Sequence, residues 1–292
     1  MLRTASVAPA AASIGGTRLP VRHWPVVLLA ILICLALFAP FIAPDPLAQS
    51  LRDRLLPPAW LDEGSARHLF GTDQLGRDLF GRLLAGMRVS LAIGLVAATS
   101  SALIGVGLGL LGGYFRGSVE SAIMRLADIQ LAFPLLVLAI AVLALLGGSL
   151  VPLVLVLSLF GWAIFARVVR AAVMVQRQMD YVSAARTAGA GHLDIMLRHL
   201  LPNVVAPVLV LWTFAVAQMV VLEGALSFLG LGVRPPAPSL GGIMSDGRQL
   251  LELAWWLTAL PGVALVALVV AFNALGDDLR DWLDPRVAGL RG

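Results

Sequence analysis

The chain has 292 residues, of which 59% are hydrophobic and 13% charged, about half the charge of an average soluble domain. It carries 21 basic residues, all of them Arg, against 17 acidic ones, and a single cysteine. These figures exclude an ordinary soluble globule, an intrachain disulfide and a multi-cysteine metal site. The Arg residues are scattered between apolar runs with no basic stripe interleaved with aromatics, so the positive balance speaks for membrane topology and against nucleic acid.

The first 22 residues are rich in Ala and small residues and include three Arg. They precede an apolar run that could serve as a secretory signal. However, the run is long enough to span, and it ends in the Pro-rich PFIAPDP instead of a small-residue cleavage site, so a retained membrane anchor is expected. A bilayer core of about 30 Å takes about 20 helical residues to cross. Six segments meet that need: Pro25–Ala43, Val89–Leu111, Ile129–Leu146, Val151–Ala166, Val204–Leu222 and Ala254–Leu275. The reading is therefore an all-α integral membrane protein with six transmembrane helices, in which an even count puts both termini on one side.

Arg placement selects the side. With the termini inside, 13 Arg fall on inner segments and 8 on outer ones, which makes both termini cytoplasmic. Most of the outer Arg lie in residues 44–88, where six acids (Asp45, Asp53, Asp62, Glu63, Asp73 and Asp78) balance six Arg. That segment is long enough to form a small structure of its own. The division is thus residues 1–87 (tail, first span, external segment), a core of the remaining spans over 88–275, and a cytoplasmic tail over 276–292.

Within the second span, Ala97, Ser101, Gly105, Gly109 and Gly113 recur every four residues. Five small side chains on one slowly drifting face let backbones approach closely, a main source of helix association in lipid, so this face is expected to pack on another helix. Pro207 and Pro261 fall within or near the starts of spans five and six, as kinks or as gates.

Several chemistries lack their residues. A P-loop needs a Lys to reach the phosphates, and this chain has none. There is no HExxH and no GxSxG, and His23, His68, His192 and His199 show no familiar metal-ligand spacing. Proton-coupled transporters carry ionisable groups inside their spans. Here Glu223, Asp128 and Glu252 only mark span ends, with Glu223 either a locally bonded boundary carboxylate or a solute contact. No catalytic residue, cofactor site or metal site is expected, and the energy source for any transport lies outside the chain.

The most informative stretch is residues 167–203, RVVRAAVMVQRQMDYVSAARTAGAGHLDIMLRHLLPN. Nothing breaks a helix from Arg167 to Thr187. Gly189-Ala190-Gly191 then frees the backbone, and His192–Leu200 reads as a short helix ended by Pro202, with Asp194 in its first turn and Arg198 and His199 in its last. Ala184, Ala185, Ala188, Gly189, Ala190 and Gly191 form a projecting knob of low bulk that can enter a groove on a partner. An amphipathic helix on the lipid surface would want large apolar residues opposite its Arg, which the part before Gly189 lacks.

This stretch resembles the EAA loop of ATP-binding-cassette (ABC) importer permeases, matching it at Ala184, Ala185, Gly189, Leu201 and Pro202, with Ser183 where the family has Glu. Asp180-Tyr181-Val182 and the Arg198-His199 pair before LLPN resemble its peptide and nickel branch. So do GTDQLGRDLFGRLLAGMRVSL (Gly71–Leu91), LSFLGLGVRPPAPSLG (Leu226–Gly241) and LGDDLRDWLDPR (Leu275–Arg286), with departures at Leu240 and Asp278. The resemblance implies a type I importer permease of MetI-like fold in a bacterial inner membrane. It implies pairing with a homologous permease, two cytoplasmic ATPases that bind ATP and Mg, and an external solute-binding protein. Ser183, Ala184, Ala185, Ala188, Gly189, Ala190, Gly191 and Asp194 would then form the coupling helix seated in an ATPase groove. The implied cargo is a short peptide, or a nickel chelate, glutathione-like or opine-like solute. The alternative is an ion-coupled secondary transporter acting without an ATPase.

Overall fold

The computed structural model describes residues 23–283 of the chain. The N-terminal tail and the last residues of the LGDDLRDWLDPR motif lie outside the described residues. Within them the regular structure is helical, and five helices are long and apolar enough to cross a membrane. They are α1 (Trp24–Ile42), α2 (Leu79–Phe115), α5 (Leu150–Gln176), α7 (His192–Phe228) and α9 (Trp256–Leu283). Between α2 and α5 lie α3 (Gly117–Leu131) and α4 (Leu135–Leu146), which meet at a bend of 84° and make a sixth, broken segment. Two short helices complete the chain: α6 (Asp180–Thr187) and α8 (Leu240–Gly247).

The centre of the bundle is the contact between α2 and α5. All five small residues of α2 are buried, and they lie against α5 of the same chain. A Cβ added at Gly105 would stand 2.4 Å from Phe165 Cβ, one at Gly109 2.7 Å from the Ala166 carbonyl, and one at Gly113 2.8 Å from Val173 Cβ. Ser101 Oγ donates to the Ser158 carbonyl at 2.8 Å, and Ala97 is fully buried. Backbones this close leave room only for Gly, Ala and Ser, which is why the four-residue spacing appears in the sequence.

Three expectations are corrected. The third span does not run unbroken over Ile129–Leu146: Pro134 has no N–H to give and pushes Phe133 out of helical geometry, so the helix stops at Leu131 and restarts at Leu135. The helix expected from Arg167 to Thr187 stops at Gln176 and restarts at Asp180, although no Gly or Pro intervenes. The cause is tertiary. Val182 follows Val173 by nine positions, which at about 100° per residue would place them on opposite faces of one straight helix, yet both are buried in the same apolar cluster. The turn at residues 177–179 brings Val182 back.

Pro202 does not end the helix that begins at His192, because Ile195–Leu200 forms wide π-type turns in which Leu201 N–H bonds the Met196 carbonyl, five residues back. Such a turn gives the proline ring room without stopping the helix. The positions Met87 and Leu275, where the sequence reading divides the chain, lie within α2 and α9.

Residues 43–78 form a compact turn-rich cap over the start of α2. Asp73 is fully buried and accepts from Leu75 N–H at 2.8 Å, Arg77 N–H at 3.0 Å and Arg77 Nε at 2.6 Å, and from Arg82 on α2. Arg82 also reaches Asp246 of α8 at 2.9 Å. Asp78 caps α2 by accepting from Gly81 N–H at 2.8 Å, while its other oxygen meets His68 Nδ1 at 2.8 Å. The GTDQLGRDLFGR run therefore encodes a buried ion-pair network and a helix cap.

Candidate functional site

The loop between α5 and α7 stands at the end of the bundle where α2 also finishes. Its scaffold is a small apolar cluster in which Val182 of α6 packs with Val169 and Val173 of α5, Ile195, Met196, Leu200 and Val204 of α7, and Leu110 and Tyr114 of α2. Polar contacts fix the surrounding backbone. Arg177, at the end of α5, donates to the Tyr114 carbonyl at 2.6 Å, and the Tyr114 hydroxyl meets His192 Nδ1 at 2.8 Å. Tyr181 donates to Gln176 Oε1 at 2.8 Å and accepts from Asn203 Nδ2 at 3.2 Å. Desolvation pushes the Tyr181 phenol above its ordinary pKa.

The end of α6 is closed by a Schellman motif. Ala190 N–H bonds the Ala185 carbonyl at 3.0 Å, and Gly189 N–H bonds the Arg186 carbonyl at 3.1 Å. Gly189 itself sits at φ +87°, the left-handed geometry this cap requires and glycine adopts without penalty. Gly189 thus lies beyond the helix, and it does not share a helical face with Ala185.

With the scaffold inward, α6 turns its other side out. Ser183, Ala184, Ala188, Gly189 and Gly191 are exposed, while Ala185, Ala190 and Asp194 are half-buried. A Cβ added at Gly189 or Gly191 would meet nothing within 4 Å. Arg198 pairs with Asp194 at 3.1 Å, an exposed i,i+4 pair of small energetic weight. What results is a low knob of mostly small side chains, with Arg186 exposed beside them, rigid at its base and open at its tip, that presents helix backbone to whatever approaches.

Tyr114, Arg177 and Val182 brace this knob, and sequence reasoning did not single them out for that part. Val182 carried a signal, as the large apolar residue among small ones in DYVSAART. Of the other acids considered, Asp128 pairs with Arg167 at the surface, and Glu252 lies exposed in the turn before α9. Glu223 is fully buried within α7 and accepts from Ser227 Oγ at 2.6 Å.

Residues 105–289 match the family model described as binding-protein-dependent transport system inner membrane component. The chain belongs to that family. It is 46% identical over 261 residues to the di/tripeptide transport system permease protein DppC of Pseudomonas aeruginosa, covering 89% of this chain and 86% of that protein. To the dipeptide transport system permease protein DppC of Escherichia coli K12 it is 43% identical over 258 residues, 88% of this chain and 86% of the relative. To the glutathione transport system permease protein GsiD of Pectobacterium atrosepticum it is 40% identical over 228 residues, 78% and 76% of the two chains. Among solved structures, a chain of the inward-facing MetNI methionine ABC transporter superposes with a TM-score of 0.58 at 20% identity, covering 70% of this chain and 96% of that one. That likeness establishes a shared fold. The family, its similar relatives and the set of apolar helices make this a multi-pass membrane permease.

Proposed function

We propose that the chain is the non-catalytic permease subunit of an ATP-driven importer of short peptides. It pairs with a homologous permease to enclose the path, receives solute from an external binding protein, and is driven by two cytoplasmic ATPases that hold the ATP and Mg. The termini and the α5–α7 loop face the cytoplasm, and the cap over α2 and α8 faces outward. The peptide assignment draws on the named transport systems of the relatives.

One observation carries the mechanism: the exposed tip of α6, with small residues outward and Val182 anchored inward. A partner groove can close over Ala184 and Ala188 because no side chain holds it off, and the force it applies passes through the base into α5 and α7. Switching between inward- and outward-facing states then needs only a partner whose contact with the knob differs between nucleotide states. For the ion-coupled alternative, the carboxylate of Glu223 is enclosed among side chains of the bundle.

The test is the transporter purified with its copurifying subunits. Ala184→Trp adds bulk at an exposed helical position, so membrane insertion and permease pairing should persist while ATPase retention and peptide-stimulated hydrolysis fall sharply. Gly191→Ala has open space and ordinary backbone angles and should behave as wild type. Normal ATP-driven uptake by Ala184→Trp would refute the assignment of this loop as the coupling element.

A further inference from the structure

A cavity of about 230 Å³ opens where the α3–α4 break meets α5 and α7. Its apolar lining includes Phe133, Phe160 and Phe214, and two amides also reach it, Gln130 and Gln218. Both amides sit deep. Gln130 donates to the carbonyl of Phe160, which lies ten residues from the outer end of α5, and Gln218 lies ten residues from the outer end of α7. At 1.5 Å rise per residue each is about 15 Å in, the middle of a hydrocarbon core about 30 Å thick.

Two physical arguments converge on this place. Gln218 is exposed, and an uncovered amide facing lipid at that depth leaves polar groups unbonded at a cost of kilocalories. Independently, the chain is non-helical at Ala132–Pro134 beside the same cavity. Irregular backbone at membrane depth is tolerated where protein buries it or where it lines water, and broken helices mark solute sites in transporters. Lipid satisfies neither feature, whereas an aqueous path satisfies both. The volume is also below the roughly 300–1,000 Å³ of complete small-ligand pockets, as expected of one half of a site that a facing chain completes.

We propose that this cavity is this chain's half of the solute path, and that Gln130 and Gln218 hydrogen-bond the backbone amides of a passing short peptide. An amide side chain offers both a donor and an acceptor. It can therefore exchange bonds with a peptide N–H and C=O whatever the neighbouring side chains are, while the phenylalanine rings tolerate apolar and polar cargo alike. The peptide part rests on the import reading above, and the placement of Gln218 in water does not.

The experiment uses the whole transporter in membrane vesicles. In a Cys34→Ser background, Gln218→Cys is treated with a charged, membrane-impermeant methanethiosulfonate with and without nucleotide trapping, and with and without saturating dipeptide. The expected result is labelling whose rate differs at least several-fold between nucleotide states and falls when dipeptide is present. In parallel, Gln218→Leu should raise the KM for dipeptide uptake by about five-fold, the loss of one neutral hydrogen bond, and Gln218→Asn should recover part of it. No labelling in any nucleotide state would place Gln218 against lipid or packed protein and overturn the path. Labelling without dipeptide protection, together with an unchanged KM in Gln218→Leu, would overturn the peptide contact. State-dependent labelling in a transporter whose wild type takes up no dipeptide would refute the import reading and with it the peptide contact, leaving the path standing.

Discussion

Gly105→Ala is the smallest change that tests how the bundle is held. The new methyl carbon would lie 2.4 Å from Phe165 Cβ and 2.5 Å from the Trp162 carbonyl oxygen, about 1 Å inside ordinary contact. Neither neighbour is the flexible end of a side chain, so α2 and α5 must part. The seam that parts also holds the Ser101–Ser158 hydrogen bond and the contacts at Gly109 and Gly113. Overpacking of this kind costs about 1–3 kcal/mol. Gly107, two residues on, is exposed, and a Cβ there meets nothing within 4 Å. Replacing it by Ala removes glycine's conformational freedom and should gain up to about 0.5–1 kcal/mol. One chemical change thus has opposite signs at positions two apart. After graded heating in detergent, the monodisperse fraction by fluorescence-detected size exclusion should have a lower midpoint for Gly105→Ala than for wild type, and an unchanged or higher one for Gly107→Ala. Equal midpoints for the two variants would refute the packing of this face on α5. Because the contact is within the chain, the loss should appear before any second permease is present.

The cap over the start of α2 should depend on Asp73. Asp73→Ala leaves the buried Arg82 with Asp246 alone and strips Leu75 and Arg77 of their acceptor, a loss of at most about 3–5 kcal/mol, read as increased protease cleavage within residues 44–78 of the intact chain. Asp78→Ala removes the cap of α2 and should cost about 1 kcal/mol, with a correspondingly smaller effect in the same assay. Orientation is checked by single cysteines in Cys34→Ser: one at Ser65 should react with an impermeant thiol reagent added outside intact cells, and one at Ser183 only after permeabilisation. The reverse pattern would invert the topology. Purified without other subunits, the chain should hydrolyse no ATP and accumulate no peptide in vesicles. Uptake driven by a proton gradient alone would favour the ion-coupled reading.

Hydropathy and the spacing of small residues were enough to place the main spans and the face of α2 that packs closest, because both depend on local composition that one segment carries by itself. The ends of elements were less legible. Leu79–Met87 reads by sequence as lying before the second span, yet the helix starts at the Asp78 cap, and Arg82 within it pairs with Asp73 and Asp246, one of them far along the chain. The π turns before Pro202 follow from how α7 leaves the loop, and no residue type announces them. In the loop, the Gly189 turn could be read from its glycine, whereas the break after Gln176 could not. It exists only because Val182 has a pocket to reach, built from α2, α5 and α7 together.

That pocket connects the loop to the middle of the membrane. Val182 rests on Val169 and Val173 of α5 and on Ile195, Met196, Leu200 and Val204 of α7. Further along, the same two helices supply Phe160, Gly161 and Phe165, and Leu211, Phe214 and Gln218, to the cavity wall. Close-packed apolar contacts transmit displacement because they have little room to compress. A push on α6 along its anchored side is therefore felt by α5 and α7 as a pair, and so at the cavity. α5 is meanwhile locked to α2 along the glycine seam, so α2 must travel with it, while α4 contributes only its own end of the cavity and can stay behind. The α3–α4 break is then the place where relative motion changes the shape of the path, since a chain that has already given up its helix there can bend without further loss of hydrogen bonds. Straightening the break with Pro134→Ala should leave the knob and its partner contacts intact but slow peptide uptake relative to ATP hydrolysis. A variant with both rates unchanged would show that the break is not the moving part.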